Sequence, residues 1–233
     1  LLLVSGSANA SAQGEPTATP PNYANKLTAA YYAFSSNTTG TDINLRHTFS
    51  ASTAWLGVYH ETDGFDQVRA GYDYDWHRGW LTMVPSLQVA SHGFAGATVY
   101  AEAGRRLFAI GGAGRTNLEP YWNLGFDPND YVQVGAGLRS ARTSASVFAI
   151  RDNRLHTGQT NTHVLLRRYV GRDWRLTLDA VHEQGTGDEG VRVRAWSTSL
   201  DVDWRRWFVR GAVDPHVNYR PDRQVRIAGG VRF

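Results

Sequence analysis

The last nine residues of the chain alternate between apolar and polar side chains with a period of two. Val225, Ile227 and Phe233 fall on one face of an extended segment, and Arg226 and Arg232 fall on the other. Such alternation is typical of a strand with one apolar and one polar face. A transmembrane barrel supplies lipid for the first face and a wet lumen for the second. The pattern therefore predicts that the chain ends in a membrane-spanning strand whose terminal aromatic faces lipid.

The same alternation recurs along the chain, most clearly in residues 65–76, 131–139 and 193–204. No long segment shows a 3.6-residue period, so we expect no helix of more than two turns. The pattern predicts an all-β fold, a transmembrane antiparallel up-and-down β-barrel. Short and long connections alternate, and single-chain barrels have an even strand number. With residues 117–130 taken as one long outer loop, we predict about fourteen strands, with twelve or sixteen as alternatives.

The N-terminal residues divide into two segments ahead of the barrel. Residues 1–13 combine an apolar run with Ala8-Asn9-Ala10, a small-x-small cleavage pattern, and are expected to be a residual signal-peptide segment. Residues 14–25 contain three prolines and are expected to form an extended arm. Residues 26–233 are then the barrel. An exported barrel predicts an integral protein of the bacterial outer membrane with both termini in the periplasm.

Aromatic residues bracket three predicted tight turns, and the chain ends on another aromatic. Amphipathic rings favour headgroup depth, with the turn between them in water. We therefore expect contact with outer-membrane lipid and lipopolysaccharide through a membrane-interface set. Its members are Trp76, Trp80, Tyr169, Trp174, Trp204, Trp207 and Phe233.

The polar faces of the predicted strands carry a mixture of arginines and aspartates. Fourteen strands enclose more cross-section than an eight-strand barrel, whose interior side chains fill. The predicted pore-lining set is Arg46, Arg69, Asp73, Asp75, Arg139, Arg175, Asp179, Asp201, Asp203, Arg210, Arg226 and Arg232.

Two segments carry a resemblance to a known family. They are the Tyr-Asp-Tyr-Asp-Trp-(turn)-Trp-Leu hairpin at residues 72–81 and the terminal Arg-Ile-Ala-Gly-Gly-Val-Arg-Phe. Together with the order of short strands, they resemble the YaiO-type outer-membrane barrels. The terminal aromatic strand also resembles the signal that the outer-membrane assembly machinery recognises. The resemblance implies the fold, the location and that partner, and it implies no defined activity.

The sequence offers little for catalysis, cofactors or nucleic acids. There is no cysteine, which excludes thiolate chemistry, and none of the eight histidines lies in the His-x-Ser pattern of outer-membrane lipid hydrolases. We predict no catalytic residue, no metal site and no cofactor. The net charge is only +3, and no basic cluster is interleaved with aromatics. Nucleic-acid binding is therefore not expected.

We expect a narrow passive pore for small polar solutes or ions. Three alternatives remain open at this point. Arg–Asp pairs would close the lumen if the barrel were a structural scaffold. The barrel would belong to a machinery for surface-polysaccharide export or assembly if it had periplasmic partners. A lipid hydrolase is the remaining alternative.

Overall fold

A computed structural model describes residues 23–119, 121, 130–152, 154–187 and 190–233. These residues form strands joined by turns and loops. The strands are β1 (Asn25–Phe34), β2 (Thr39–Phe49), β3 (Ser52–Glu61), β4 (Asp66–Tyr74), β5 (Trp76–Arg78), β6 (Leu81–Ala90), β7 (Ala95–Gly104), β8 (Leu107–Thr116), β9 (Asp130–Arg139), β10 (Thr143–Asp152), β11 (Gln159–Val170), β12 (Trp174–Thr186), β13 (Arg192–Trp204), β14 (Trp207–Asp214) and β15 (Gln224–Arg232).

The strands close into a fourteen-strand antiparallel barrel. β15 pairs with β1, and β4 pairs with β6, so the sheet has no free edge. β4 and β5 act as one strand, because Tyr72 opposite Leu87 and Trp76 opposite Met83 follow one continuous register on β6. Closure of this kind satisfies every ladder position without exposing an edge to lipid. The predicted fold class is confirmed. The strand number is fourteen, as predicted, rather than the alternatives twelve or sixteen.

The two ends of the barrel differ in the length of their connections. Six connections of two or three residues lie at the end that carries Asn25 and Phe233, which we call the terminus end. Seven connections of four to thirteen residues lie at the opposite end, which we call the loop end. The main chains of Asn25 and Phe233 exchange two hydrogen bonds, of 2.8 and 3.0 Å, and so join the first and last strands.

Most predicted segments match strands of the barrel, with small shifts at their ends. The segment 65–76 is β4 and β5, and the turn after it is Gly79-Trp80 rather than residues 77–79, because the ladder continues to Arg78. The two helical segments among the described residues are three-residue 3-10 turns, Ser91–Gly93 and Val217–Tyr219. No helix in that part of the chain is long and apolar enough to span a bilayer. The expected signal segment, most of the arm and most of the loop at 117–129 lie outside the described residues.

The two faces of the wall have the predicted distribution of side chains in strands such as β9. Val132, Val134 and Leu138 are 62–65% exposed and point outward, whereas Gln133 between them is 4% exposed and points inward. Large apolar side chains exposed in this way form the surface that a bilayer covers. Because the outer face is mostly apolar, the polar and charged side chains that could serve a function are on the inner face.

Candidate functional site in the barrel lumen

The charged side chains that the sequence assigns to the lumen lie on the inner face of the wall. Each has an exposed apolar or aromatic neighbour in the chain, and adjacent residues in a strand point to opposite faces. None of the twelve is itself exposed. They are Arg46, Arg69, Asp73, Asp75, Arg139, Arg175, Asp179, Asp201, Asp203, Arg210, Arg226 and Arg232.

Several of these charges form ion pairs between strands. Arg69 Nη2 lies 2.6 Å from Asp42 Oδ1, and both side chains are almost fully buried. Arg210 Nε lies 3.0 Å from Asp201 Oδ2 on the directly paired position of β13. A buried charge is costly unless it is paired. These pairs therefore explain how the inner wall holds charged groups so close together.

Asp203 joins two arginines from strands on either side of it. Arg175 Nε donates a hydrogen bond of 3.0 Å to Asp203 Oδ2, and Arg232 contacts Oδ1. Arg175 comes from β12 and Arg232 from β15, so one carboxylate links three strands at the terminus end. Replacing Asp203 with a neutral residue would leave two guanidinium groups facing each other at this point.

A row of three cations crosses the inner face next to this carboxylate. Lys26 on β1 lies directly opposite Arg232 on β15 and Arg46 on β2. Like charges in directly opposed positions repel each other. The ring of Phe208 offsets part of this cost, since Lys26 Nζ lies 4.6 Å from its centre and Arg232 Cζ 5.0 Å. The terminus end of the lumen therefore contains a local row of positive charges beside Asp203.

Several inward titratable groups were not predicted from the sequence, among them Lys26, Glu102, His163, Arg167 and Glu183. Glu102 pairs with the predicted Arg139, and His163 Nδ1 lies 3.0 Å from Asp179 Oδ2. Two of the predicted charges thus have partners that the sequence did not indicate. The inner faces of β7 and β11 also carry apolar residues, so the alternation of polar and apolar side chains is weak around Glu102, His163 and Arg167.

One sector of the inner face is apolar, which the sequence reasoning did not anticipate. Eight buried residues of β6 to β11 form a single cluster inside the barrel. They are Val84, Tyr100, Phe108, Ile110, Tyr131, Phe148, Ile150 and Leu165. The inner wall therefore combines this apolar cluster, which also borders the charged Glu102, Arg139 and Arg167, with a more highly charged side built from β12–β15 and β1–β4.

Rings of the inner face lie flat on glycines of the neighbouring strand. The ring of Phe108 occupies the space where a side chain at Gly137 would begin, and Tyr131 does the same at Gly114. Trp55 lies against Gly71 on the charged side. Glycine allows this close approach because it has no Cβ. These rings therefore lie close against the wall of the barrel.

The loop 215–223 folds inward at the loop end. The side chains of Val217 and Tyr219 are each only 2% exposed. The Tyr219 hydroxyl donates to Asn161 Oδ1 at 2.5 Å and approaches the carbonyl oxygen of Gln184 at 3.2 Å. Burial raises the pKa of this hydroxyl, so Tyr219 stays protonated and keeps donating. The loop is thereby attached to the β11–β12 side of the wall.

The same loop also contacts the opposite side of the mouth. Val217 packs against the buried rings of Tyr32 on β1 and Tyr59 on β3, which meet edge to face at 5.6 Å. Ser35 in the first loop exchanges main-chain and side-chain hydrogen bonds with Arg223. Because it is held on both sides, the loop narrows the mouth of the lumen at the loop end.

The predicted interface residues lie on the outer surface at the terminus end, with one exception. Trp80, Trp174, Trp204, Trp207 and Phe233 are 42–60% exposed. The half-buried Trp76 shares its outward register with them, since it pairs with the exposed Met83.

The prediction that Tyr169 lies at the membrane interface is wrong. Its side chain is 9% exposed and alternates with the inward Arg167. β11 continues to Val170, which pairs with Trp174, so Val170 occupies the outward position next to the turn. The side chain of Tyr169 therefore points into the barrel, and the next residue, Val170, faces outward instead.

The described residues hold no group of three or more His, Cys, Asp or Glu side chains able to bind a metal ion. His163, a buried histidine of the lumen, contacts other residues through both a ring nitrogen and the face of its ring. Its Nδ1 faces Asp179, and its ring stacks on Phe148 with 4.5 Å between centres. This arrangement is that of a packed, hydrogen-bonded residue.

Comparison with known proteins supports the fold. No family model and no curated protein matches the chain. The outer membrane protein Omp33 of Acinetobacter baumannii superimposes with a TM-score of 0.63 at 8% identity, over 91% of this chain and 98% of that one. The NanC porin gives 0.51 at 10% identity, over 89% and 100%, and the KdgM porin 0.50 at 9%, over 89% and 99%.

The chain thus has the fold of a fourteen-strand, porin-like β-barrel. At these identities the likeness shows the fold alone. The resemblance to YaiO-type barrels is supported as far as the general barrel class, and no match supports that particular family.

Proposed function

We propose that the protein is a narrow passive pore for small polar solutes or ions in the outer membrane, with both termini on the periplasmic side. The observation that carries this proposal is a charged stripe on the inner face. It runs from Lys26 at the terminus end, through Arg210, to Arg226 near the loop end. Polar groups along the whole length of a lumen favour a hydrated path.

The arrangement of the inner rings supports an open axis. The rings of Phe108 and Tyr131 lie against Gly137 and Gly114 of the next strand, which keeps them close to the wall. Fourteen strands also give a wider lumen than the eight-strand barrels that side chains fill. The porin architecture of NanC and KdgM is consistent with this proposal.

The inward loop 215–223 explains why we expect the path to be narrow. Its buried Val217 and Tyr219 contact both sides of the mouth. Small solutes fit such a path better than folded or branched polymers, and this argues for diffusion rather than for the export of polysaccharide.

Mixed charge along the path predicts weak ion selectivity. Arginines and aspartates alternate in pairs such as Arg210 and Asp201, so neither sign dominates the whole lumen. Charges along a narrow lumen still focus the local field. Removing one sign should therefore change selectivity more than conductance.

The test is stepwise conductance of the purified protein in planar bilayers, followed by reversal potentials in a salt gradient. We expect discrete steps for the wild type. Replacing Asp73, Asp75, Asp201 and Asp203 with asparagine should shift the reversal potential toward anions. Silent insertion of protein shown to be folded would contradict the pore and support a closed scaffold. A shift toward cations would mean that these aspartates do not lie along the path.

A matched control removes the same number of negative charges from exposed positions. It replaces Asp63, Asp66 and Asp173 with asparagine and Glu119 with glutamine; all four side chains are exposed. Charges outside the lumen are screened by salt within about 10 Å at 0.1 M. The control should leave the reversal potential close to that of the wild type.

A further inference from the structure

The exposed turns at the terminus end carry an unusual concentration of arginine. Four turns that follow one another around the barrel, 105–106, 140–142, 171–173 and 205–206, contain six exposed arginines and one aspartate, Asp173. We call these six the arginine rim. Its members are Arg105, Arg106, Arg142, Arg172, Arg205 and Arg206.

The rim is continuous, because each turn is hydrogen-bonded to the strand that leads into the next turn. The Arg106 carbonyl accepts from the Arg139 amide at 2.7 Å, and the Arg142 carbonyl accepts from Tyr169 at 2.8 Å. The Asp173 carbonyl accepts from the Arg205 amide at 2.9 Å. The arginines are therefore held side by side along one arc of the barrel's edge.

Few acidic groups neutralise this arc. Arg205 Nε lies 3.5 Å from Asp173 Oδ1, and both side chains are largely exposed, so the pair is weak. For Arg105, Arg106 and Arg142, no carboxylate among the described residues lies within 4 Å. The rim thus has a surplus of positive charge that an external anion can meet.

Tryptophans place the rim at a defined depth in the membrane. Arg205 Cζ lies 5.5 Å from the ring centre of Trp204, and Arg206 Cζ 5.4 Å from that of Trp207. Exposed tryptophans of a barrel sit at the level of the lipid headgroups. Guanidinium groups stacked against them lie at the level of lipid phosphates.

A further arginine points directly into this layer. Arg168 is exposed on the outer face of β11, two residues before the strand ends, and lies directly opposite Leu176. No carboxylate within the described part of the chain lies within 4 Å of it. A charged group at the edge of the lipid-facing surface reaches toward the headgroups rather than remain in hydrocarbon. Its available anion is therefore a phosphate of the surrounding leaflet.

We propose that the arginine rim, together with Arg168, binds the phosphates of anionic phospholipids in the leaflet around the terminus end. The planar fork of guanidinium matches two phosphate oxygens at once. Headgroups with a net negative charge are preferred over zwitterionic ones, because no ammonium group opposes the arginines. The site is external to the lumen and is independent of conduction.

The structure favours lipid over an acidic protein as the occupant. The rim is continuous with the lipid-facing surface and at the depth of Trp204 and Trp207. A protein partner would need to reach sideways into the headgroup layer to contact Arg168. Lipid phosphates are already there.

The experiment compares lipid retention by native mass spectrometry. The protein is reconstituted in equal amounts of phosphatidylglycerol and phosphatidylcholine with the same acyl chains, then released with its bound lipids. One arginine near a lipid surface favours an anionic headgroup by about fivefold. We expect at least that enrichment of phosphatidylglycerol for the wild type. Replacing Arg105, Arg106, Arg168, Arg205 and Arg206 with glutamine should lower the ratio several-fold, with a residual preference from Arg142 and Arg172.

The matched control replaces five exposed arginines of the loop end with glutamine: Arg151, Arg192, Arg194, Arg220 and Arg223. It removes the same charge from the protein and should keep the wild-type ratio. A rim variant that retains the wild-type enrichment overturns the proposal, as does a control that loses it equally. A wild-type ratio of one also overturns it and assigns the rim to another acidic partner.

A second measurement keeps the proposal open to refutation if the rim variant fails to fold. The wild type is reconstituted at 1 M salt, where screening acts within about 3 Å. Enrichment of phosphatidylglycerol should then fall several-fold. An enrichment that is insensitive to salt would show that charge does not select the lipid, and would overturn the proposal.

Discussion

An arginine placed at the middle of the lipid-facing surface should destabilise the folded barrel far more than an arginine placed near the edge of that surface. Val134 and Leu138 lie on the outer face of β9 and are 65% and 62% exposed. They are four residues apart, which is about 14 Å along the strand. With a strand tilt of about 40°, that is about 10 Å in depth, close to half of a 25 Å apolar band. Val134 is near the centre of the band, and Leu138 near its edge.

The expected magnitudes follow from that depth. Val134→Arg should lower the free energy of unfolding by about 2–4 kcal/mol, and Leu138→Arg should lower it by about 0–1 kcal/mol. The first value corresponds to a change of about 30- to 900-fold in the folding equilibrium constant. Crowding does not confound the comparison at Val134, because its paired neighbours are Gly111 and Ala149.

The assay is reversible folding of both variants into phospholipid vesicles over a denaturant series, followed by tryptophan fluorescence. The two positions share a strand, a face and an exposed fraction, so each variant is the control for the other. Equal costs for the two arginines would refute the depth assignment. A negligible cost for Val134→Arg would refute the lipid-facing assignment of β9 itself.

Two further predictions concern the mouth and the terminal strand. Tyr219→Phe removes the hydroxyl that binds Asn161, a hydrogen bond contributing about 0.5–1.5 kcal/mol. It should release the loop and increase the conductance step, and an unchanged step would show that the loop does not narrow the path. Deleting Phe233 removes an exposed ring and two main-chain bonds to Asn25, so outer-membrane insertion should fall while export is unaffected. Insertion at full yield, measured against a Phe233→Tyr control, would contradict the role of the terminal aromatic.

Much of the barrel was predictable because the period-two pattern is local. The outward Val132 and Val134 and the inward Gln133 follow from their order in the chain alone. The number of strands followed from the alternation of short and long connections. The prediction of residues 117–130 as one loop is compatible with β8 ending at Thr116 and β9 beginning at Asp130.

The position of Tyr169 shows where local reasoning failed. The sequence places an aromatic on each side of the turn at 171–173, as at the other bracketed turns. Whether such a ring faces lipid depends on its phase in the strand, and the phase depends on where the ladder ends. Pairing of Val170 with Trp174 shifts Tyr169 to the inner face. One residue of register decides between lipid and lumen.

The sequence by itself determined the fold class, the outward apolar face and the inward position of most charged residues, because adjacent residues in a strand must point to opposite sides. Only the tertiary structure decided which inward groups meet. Asp203 joins Arg175 on β12 and Arg232 on β15, which are 28 and 29 residues away in the chain. The inner apolar cluster and the inward loop 215–223 were also hidden, since β8 and β10 carry apolar side chains on both faces and a loop has no period. Closure of the barrel sets these contacts, because it brings β15 beside β1 and places every inner face around one lumen.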